Sequence, residues 1–298
     1  MATTPCIVRP ATAGDLPALR RLAAVAFELE PVRRAQLVDL LFDRPPGDPR
    51  LRIVAEVDGE LAGFAFGAHH DPVGHLDAIA VDGRHRRRGV GSALLAALEA
   101  ELRTEVETLQ IGGNFWFYAW PGIDLSYTAA LCFAERHGYT QREQIHNMDV
   151  PLAGWIPGTG RSSTAVVRRA TAADRPELDR FISTRFTEVW RHEADLALHR
   201  VPVPAFVALL DGAIVGFACH GTYRVDWFGP LAVDESQRGA GTGEALLRAC
   251  LDDLAAAGIA TAQIGWIGPM HFYARAVDAR LGRRFAVLGK PARPDGAT

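Results

Sequence analysis

The chain has 298 residues, 48% hydrophobic and 22% charged, with a formal net charge of −3. This length suits two domains, and the composition is that of a globular protein, which excludes a disordered or fibrous chain. The acidic balance gives no bulk attraction for nucleic acid, the apolar runs have strand length, and the N-terminus lacks the charged and apolar regions of a signal peptide. The expected setting is therefore cytoplasmic, with neither nucleic acid nor membrane as partner.

In chain order, Val8-Arg-Pro-Ala-Thr-Ala-Gly-Asp-Leu-Pro-Ala-Leu19 reads as a strand, a Thr/Asp cap with proline in the first helical turn, and a helix. Val54-Ala-Glu-Val-Asp-Gly-Glu-Leu-Ala-Gly-Phe-Ala65 reads as two strands joined by an Asp-Gly hairpin turn. Ala80-Val-Asp-Gly-Arg-His-Arg-Arg-Arg-Gly-Val-Gly-Ser-Ala-Leu-Leu95 carries a strand through an Arg-x-x-Gly-x-Gly turn into an amphipathic helix. Gln110-Ile-Gly112 ends a fifth strand. An aromatic insert, Phe115 to Tyr127, precedes the helix Leu131-Cys-Phe-Ala-Glu-Arg-His-Gly-Tyr139 and a strand through Asn147 to Leu152.

After Gly154-Trp-Ile-Pro-Gly-Thr-Gly-Arg-Ser-Ser-Thr164, a linker by its Gly, Pro and Ser content, the series repeats. Val167 to Leu178 mirrors Val8 to Leu19, and Val207 to Ala218 mirrors Val54 to Ala65. Ala232-Val-Asp-Glu-Ser-Gln-Arg-Gly-Ala-Gly-Thr-Gly-Glu-Ala-Leu-Leu247 repeats the turn without a gap at an offset of 152, and Gln263-Ile-Gly265 repeats the fifth strand. A period this long means duplicated domains. The expected fold is mixed α/β (α+β with a mixed sheet), with domains at 1–153 and 165–298, a linker at 154–164, and a frayed tail after Lys290. Cys6, Cys132, Cys219 and Cys250 are scattered, so neither disulfides nor a metal site is expected.

Glycines at 89, 91, 241 and 243 let the backbone approach a ligand and turn its N–H groups inward, while the following helix offers its positive end. Arg86 and Arg238 open the two turns with a permanent charge. The ligand fitting both is a diphosphate-like anion. No Gly-Lys-Ser/Thr follows, and Leu94 and Leu246 stand where a dinucleotide fingerprint needs its third glycine. The run Arg84 to Arg88 clamps phosphate better than it binds nucleic acid, since no second basic stretch or stacking aromatic cluster joins it.

With these residues the chain resembles the GNAT acetyltransferases, whose loop for acetyl-coenzyme A has the form Arg/Gln-x-x-Gly-x-Gly/Ala, and the likeness covers nearly the whole chain as two tandem domains. The resemblance implies two acyl-CoA N-acyltransferase folds with acetyl-coenzyme A as cofactor. Its contacts would come from Ile79, Ala80, Val81, Arg86, Arg87, Arg88, Gly89, Val90, Gly91 and Ser92. In the second half they would come from Leu231, Ala232, Val233, Arg238, Gly239, Ala240, Gly241, Thr242, Gly243 and Glu244.

Acetyl transfer to an amine needs a base, a donor for the thioester oxygen, and an acid for the departing thiolate. The family takes the donor from a backbone N–H on the strand before the loop, and the acid from a tyrosine on the helix after the fifth strand. Tyr273 in Phe272-Tyr-Ala-Arg fits the acid's place, while the first half has Ala134 there, with Tyr118 or Tyr127 of its insert as substitutes. Candidate bases are Asp77 in the first half, with Gly229 at the matching position. In the second half they are Asp226, His220, and Glu193 within the group Glu188, His192, Glu193 and Asp195. His271 beside Tyr273 is equally a packed ring.

The expected activity is direct transfer of acetyl to a primary amine of a small molecule by the C-terminal domain, with an N-terminal domain that binds acetyl-coenzyme A and is weak or silent. Phe228-Gly-Pro and Gly265 to Pro269 point to an aminosugar or similar acceptor, by likeness to the tandem glucosaminide acetyltransferases. A monomer or homodimer is expected. The rival readings are a peptide N-acetyltransferase, which needs an open groove, and a silent coenzyme-A-binding regulator, against which Tyr273 argues.

Overall fold

The structure, a computed structural model, describes residues 6–30, 37–42, 50–117, 119–160 and 162–293. The chain divides into two compact units, Met1–Gln144 with Phe285–Thr298, and Ile145–Arg284.

The first unit contains β1 (Ile7–Pro10), α1 (Leu16–Ala26), α2 (Leu37–Phe42), β2 (Arg50–Val57), β3 (Glu60–His70) and β4 (Val73–Val81). It continues through α3 (Val90–Leu102), β5 (Thr108–Ile111), the short β6 (Ile123–Asp124) and α4 (Thr128–Arg136). The strand β7 (Thr140–Pro151) then leads into the second unit, which holds β8 (Val166–Arg169), α5 (Arg175–Ser183), α6 (Glu188–Leu198), β9 (Ala205–Leu210) and β10 (Ala213–His220). Its later elements are β11 (Trp227–Val233), α7 (Thr242–Ala256), β12 (Thr261–Ile264), α8 (Met270–Val277) and the start of β13 (Arg280–Pro291).

Each sheet is antiparallel except for one parallel pair: β4 with β5 in the first unit, β11 with β12 in the second. The strand order is β1-β2-β3-β4-β5-β13 in the first and β7-β12-β11-β10-β9-β8 in the second. The units differ from a straight division of the sequence at both long strands. Residues 145–153 group with the second unit and 285–298 with the first, because ladder hydrogen bonds decide membership. Met148 to Pro151 pair with β12, and Leu288 to Pro291 pair with β5.

The repeated sequence signals have repeated physical causes. In both hairpins Asp and Gly take left-handed φ (Asp58 55°, Gly59 76°; Asp211 50°, Gly212 83°), the type I′ geometry that follows strand twist. Thr12 with Asp15, and Thr171 with Asp174, form capping boxes ahead of Pro17 and Pro176. Arg9 and Arg168 on the first strands hold those aspartates at 2.8 and 2.6 Å. The helix after each glycine turn covers one sheet face with leucines that exclude solvent almost completely: Leu94, Leu95, Leu98 and Leu102 on α3, Leu246, Leu247, Leu251 and Leu254 on α7. Among the described residues no helix is long and apolar enough to cross a membrane, and the four cysteines are free thiols, with Cys219 and Cys250 buried. The chain does not fray directly after Lys290: Pro291 still pairs with Thr108, and Ala292, buried, donates its N–H to the Glu107 carbonyl at 2.9 Å; the residues beyond Arg293 lie outside the described ones.

Candidate active site

In each unit the parallel pair separates partway along its length. β4 pairs with β5 only as far as Leu76 and Ile111, and β11 with β12 only as far as Phe228 and Ile264. A bulge coincides with each separation: Asp77 is the extra residue between Leu76 and Ala78, and Gly229-Pro230 stand opposite Cys219. Asp82 donates its N–H to Ala62, and Asp234 its N–H to Val215. By strand alternation, Ile79 and Val81, and likewise Leu231 and Val233, aim their N–H groups away from that neighbour and into the opening. Ala80 and Ala232 turn theirs into the ladder.

The glycine turns lie just beyond. Gly89 (φ 86°) and Gly241 (φ 83°) are the N-caps of α3 and α7, and neither helix has a side-chain cap, so the first-turn N–H groups remain available to an anion. Position 87 is left-handed even with arginine in it (φ 63°), and the matching Gly239 has φ 84°. Arg86 folds back so that Nε donates to the Val81 carbonyl at 3.1 Å, while Arg87 and Arg88 are exposed. Val90 is buried under the turn, Gly91 sits against the Phe133 ring, and Ser92 Oγ lies 3.1 Å from His137 Nε2.

The second turn has other company. Arg238 pairs with Glu235 at 3.1 Å, Glu244 with Arg248 at 3.1 Å, and Thr242 Oγ1 lies 3.2 Å from Ser163 Oγ. Ala240 is half-buried, Gly243 faces Phe272, and the Ser162 carbonyl oxygen lies 2.5 Å from where a Cβ on Gly241 would stand. Both turns thus fit the diphosphate of coenzyme A, through backbone donors and helix ends. Only the first has cationic charge in excess: Asp82 and Glu60 both pair with Arg84, which leaves Arg86, Arg87 and Arg88, whereas in the second Arg238, Arg185 and Arg248 pair with Glu235, Asp234 and Glu244.

Tyr273 lies on α8 with its ring edge-on to Phe228, the last residue of β11 before the separation, at 6.2 Å. It is 8% exposed, burial pushes its hydroxyl up to about 12, and that hydroxyl has no hydrogen-bond partner among the described residues. A phenol in that state holds its proton and has nowhere in the protein to give it. At the matching place in the first unit Ala134 is fully buried. Of the two substitutes there, Tyr127 is already engaged, its oxygen accepting from Leu29 N–H at 3.0 Å, and Tyr118 lies outside the described residues.

The candidate bases separate sharply. Asp77 has a side chain 2% exposed, 3.4 Å from Arg50 Nη1, and accepts from Asn114 Nδ2 at 2.8 Å. Asp226 is 1% exposed, accepts from Gln263 Nε2 at 3.0 Å and faces Arg224 Nε at 3.6 Å. Both are tied into the framework. His220 turns toward α7, where its Nε2 lies 3.1 Å from Asp253, while its neighbour Cys219 packs with α6 on the opposite face. Glu188 pairs with Arg191 at 2.7 Å, Asp195 pairs with Arg175, His192 is half-buried, and His271 is exposed. Glu193 alone is buried without a hydrogen bond or ion pair among the described residues. Desolvation pushes its carboxyl up to about 8, and its charge helps to push up the buried Cys219 thiol. Its helix packs against β10 and β11, the strands that carry the bulge.

The model of the acetyltransferase (GNAT) family matches residues 16–115 and again 172–277. The chain belongs to that family. A mycothiol acetyltransferase of Sanguibacter keddieii is 26% identical over 97% of this chain and 96% of its own length. One of Thermobispora bispora is 29% identical over 83% and 85%. Among solved structures, a tandem GNAT protein from the clavulanic acid biosynthesis pathway superposes with a TM-score of 0.74 at 17% identity, covering 98% of this chain and all of that one. A GCN5-related N-acetyltransferase from Sphaerobacter thermophilus gives 0.71 at 22%, covering 98% of both chains. These structures share the fold.

For an acetyltransferase the site contains residues that the sequence patterns do not single out. Asn114 and Arg50 fix Asp77, and Gln263 and Arg224 fix Asp226. The repeated Gln110 and Gln263 are a visible signal, but as strand residues they give no hint of their partners.

Proposed function

We propose that the second unit transfers acetyl from acetyl-coenzyme A to the primary amine of a small molecule, an aminosugar or a similar compound, in a ternary complex. Tyr273 carries this reading: a buried, uncommitted phenol beside the opened strands of the second unit, where the first unit has only Ala134. Acetyl-coenzyme A, when bound, supplies an acyl group activated as a thioester. Gly239, Gly241, Thr242 and Gly243 hold its diphosphate with their backbone N–H groups, and Leu231 or Val233 N–H faces the acyl oxygen as negative charge develops there.

Glu193 takes the proton from the acceptor's ammonium. A carboxyl near 8 is basic enough to do so and still ionises within the working range, whereas an ordinary carboxylate near ~4 is a poor base for an amine near ~10. Tyr273, protonated throughout that range, gives its proton to the departing thiolate. The relatives named for mycothiol, a small molecule, support a small-molecule acceptor over a peptide. The first unit, with an open basic turn and Ala134 at the acid's place, binds the cofactor without turning it over.

A screen of amines for acetyl-coenzyme-A-dependent thiol release tests the reading. Turnover of small amines, with alcohols and peptides inert, is the expected result. Efficient acetylation of hydroxyl acceptors with amines inert overturns it.

A further inference from the structure

The turn that delivers the chain from β12 into α8 is held differently in the two units, and the difference points to a residue outside the reacting set. In the second unit Trp266, a bulky residue, sits in the left-handed region at φ 49°. Such a residue is strained there and stays only where its surroundings fix it. Its N–H donates to Oδ1 of Asn147 at 3.0 Å, and the next N–H, of Ile267, donates to the His146 carbonyl at 3.1 Å. Asn147 is fully buried, and its Nδ2 donates onward to Gln263 Oε1 at 3.4 Å, whose Nε2 donates to Asp226 at 3.0 Å.

In the first unit the same backbone position is Gly113 at φ 68°, and the strand residue beside it is Val287, whose Cγ1 lies 3.4 Å from where a Cβ on Gly113 would stand. There glycine makes the turn without strain, its N–H donates to the Pro121 backbone carbonyl at 2.8 Å and not to a side chain, and the helix that follows carries Ala134. Among the described residues, a side chain of the neighbouring strand takes the N–H of this turn only where the following helix carries a phenol.

We infer that Asn147 is a positioning residue for Tyr273. It holds Trp266 in a strained conformation and so fixes the start of α8, three residues after which the phenol stands. The inference rests on the proposed role of Tyr273 as acid.

Two thioester donors test it, acetyl-coenzyme A and S-phenyl thioacetate, whose more acidic thiol leaves without help from an acid. With acetyl-coenzyme A, Asn147→Val should lower kcat about tenfold, the worth of roughly one hydrogen bond, and leave KM for the donor within about twofold. With S-phenyl thioacetate the loss should shrink for Asn147→Val and Tyr273→Phe alike. In a Tyr273→Phe background Asn147→Val should cost nothing further, since the two act through one group. Adding Trp266→Gly to Asn147→Val installs the pair the first unit already uses, and should recover part of the lost kcat. Asn147→Ser replaces Asn147→Val if the latter does not fold. Independent, multiplicative losses for Asn147→Val and Tyr273→Phe, equal on both donors, would reduce Asn147 to a stability role and overturn the inference while leaving the acid in place. Full turnover by Tyr273→Phe removes the acid itself, and the positioning role with it.

Discussion

The two halves of the molecule share a turn and differ in what surrounds it. Around Gly89, Arg84 is paired with acids but Arg86, Arg87 and Arg88 are exposed without an acidic partner among the described residues. Around Gly241 the arginines are paired with acids, and the Ser162 carbonyl stands close over the glycine. The distribution of reactive groups runs the other way. The first unit ties its one bulge carboxylate, Asp77, to Arg50 and Asn114, whereas the second leaves Glu193 and Tyr273 buried and uncommitted. A buried ionisable group without a partner is costly, and its survival in one half of a duplicated chain argues that it is used there. Duplication allows holding the cofactor and reacting with it to be optimised in separate copies of one fold.

The comparison breaks most readily at the acid. Tyr273→Phe should lower turnover about 10²-fold or more while acetyl-coenzyme A affinity stays nearly unchanged, because only a hydroxyl is lost. Asp77→Asn should leave turnover within about twofold, although removing one partner of a buried ion pair destabilises the first unit by about 3–5 kcal/mol. Steady-state kinetics on both variants decides it. A dead Asp77→Asn enzyme beside an active Tyr273→Phe enzyme inverts the division of labour between the halves.

Glu193 gives an effect of similar size with a characteristic pH signature. Its folded carboxyl, near 8, lies above its unfolded value, so the stability it contributes is complete at low pH and is lost as pH rises toward and through 8. Glu193→Gln should melt like the wild type at pH 5 and above it at pH 9. Turnover should fall about 10²-fold, and the rise of kcat/KM toward pH 8 should vanish, leaving only the limb set by the amine. A wild-type limb near 8 that persists in Glu193→Gln assigns the base elsewhere.

Cofactor binding probes the other side of the comparison. Calorimetry should find two molecules of acetyl-coenzyme A per chain, with the first-unit site tighter and more weakened by salt, since arginine charge supplies more of its attraction. Arg86→Ala with Arg88→Ala should cost that site about tenfold in affinity and flatten its salt dependence. A stoichiometry of one, insensitive to these changes, makes the first turn a relic.

Much of this is legible in the sequence, because its signals are local. An Asp-Gly hairpin, a Thr/Asp cap and a glycine N-cap are each set by a few consecutive residues, and their recurrence at a fixed offset reveals the duplication. The carboxylates are not legible in this way. Asp77 finds Asn114 and Glu193 finds burial only through the fold, so Asp77, Asp226 and Glu193 look equivalent in the sequence. The division of β7 and β13 between the units is hidden for the same reason, since a strand's partners are chosen at long range.

The smallest expected effect concerns position 87, where the halves differ by one residue at one dihedral. Arg87 is left-handed at φ 63° and Gly239 at 83°, so the turn demands this conformation whatever the side chain. For a residue with a Cβ it costs about 1–2 kcal/mol, and glycine avoids that cost while losing about 0.5–1 kcal/mol through greater freedom in the unfolded chain. Arg87→Gly should therefore stabilise the first unit by about 0.5 kcal/mol without ligand, and weaken acetyl-coenzyme A binding there through the lost charge. Thermal unfolding with and without cofactor should show a midpoint slightly above wild type in the first case and below it in the second. An apo midpoint that falls means Arg87 contributes contacts in the free protein that outweigh its backbone strain, and the turn is then held by its side chains and not by its glycines alone.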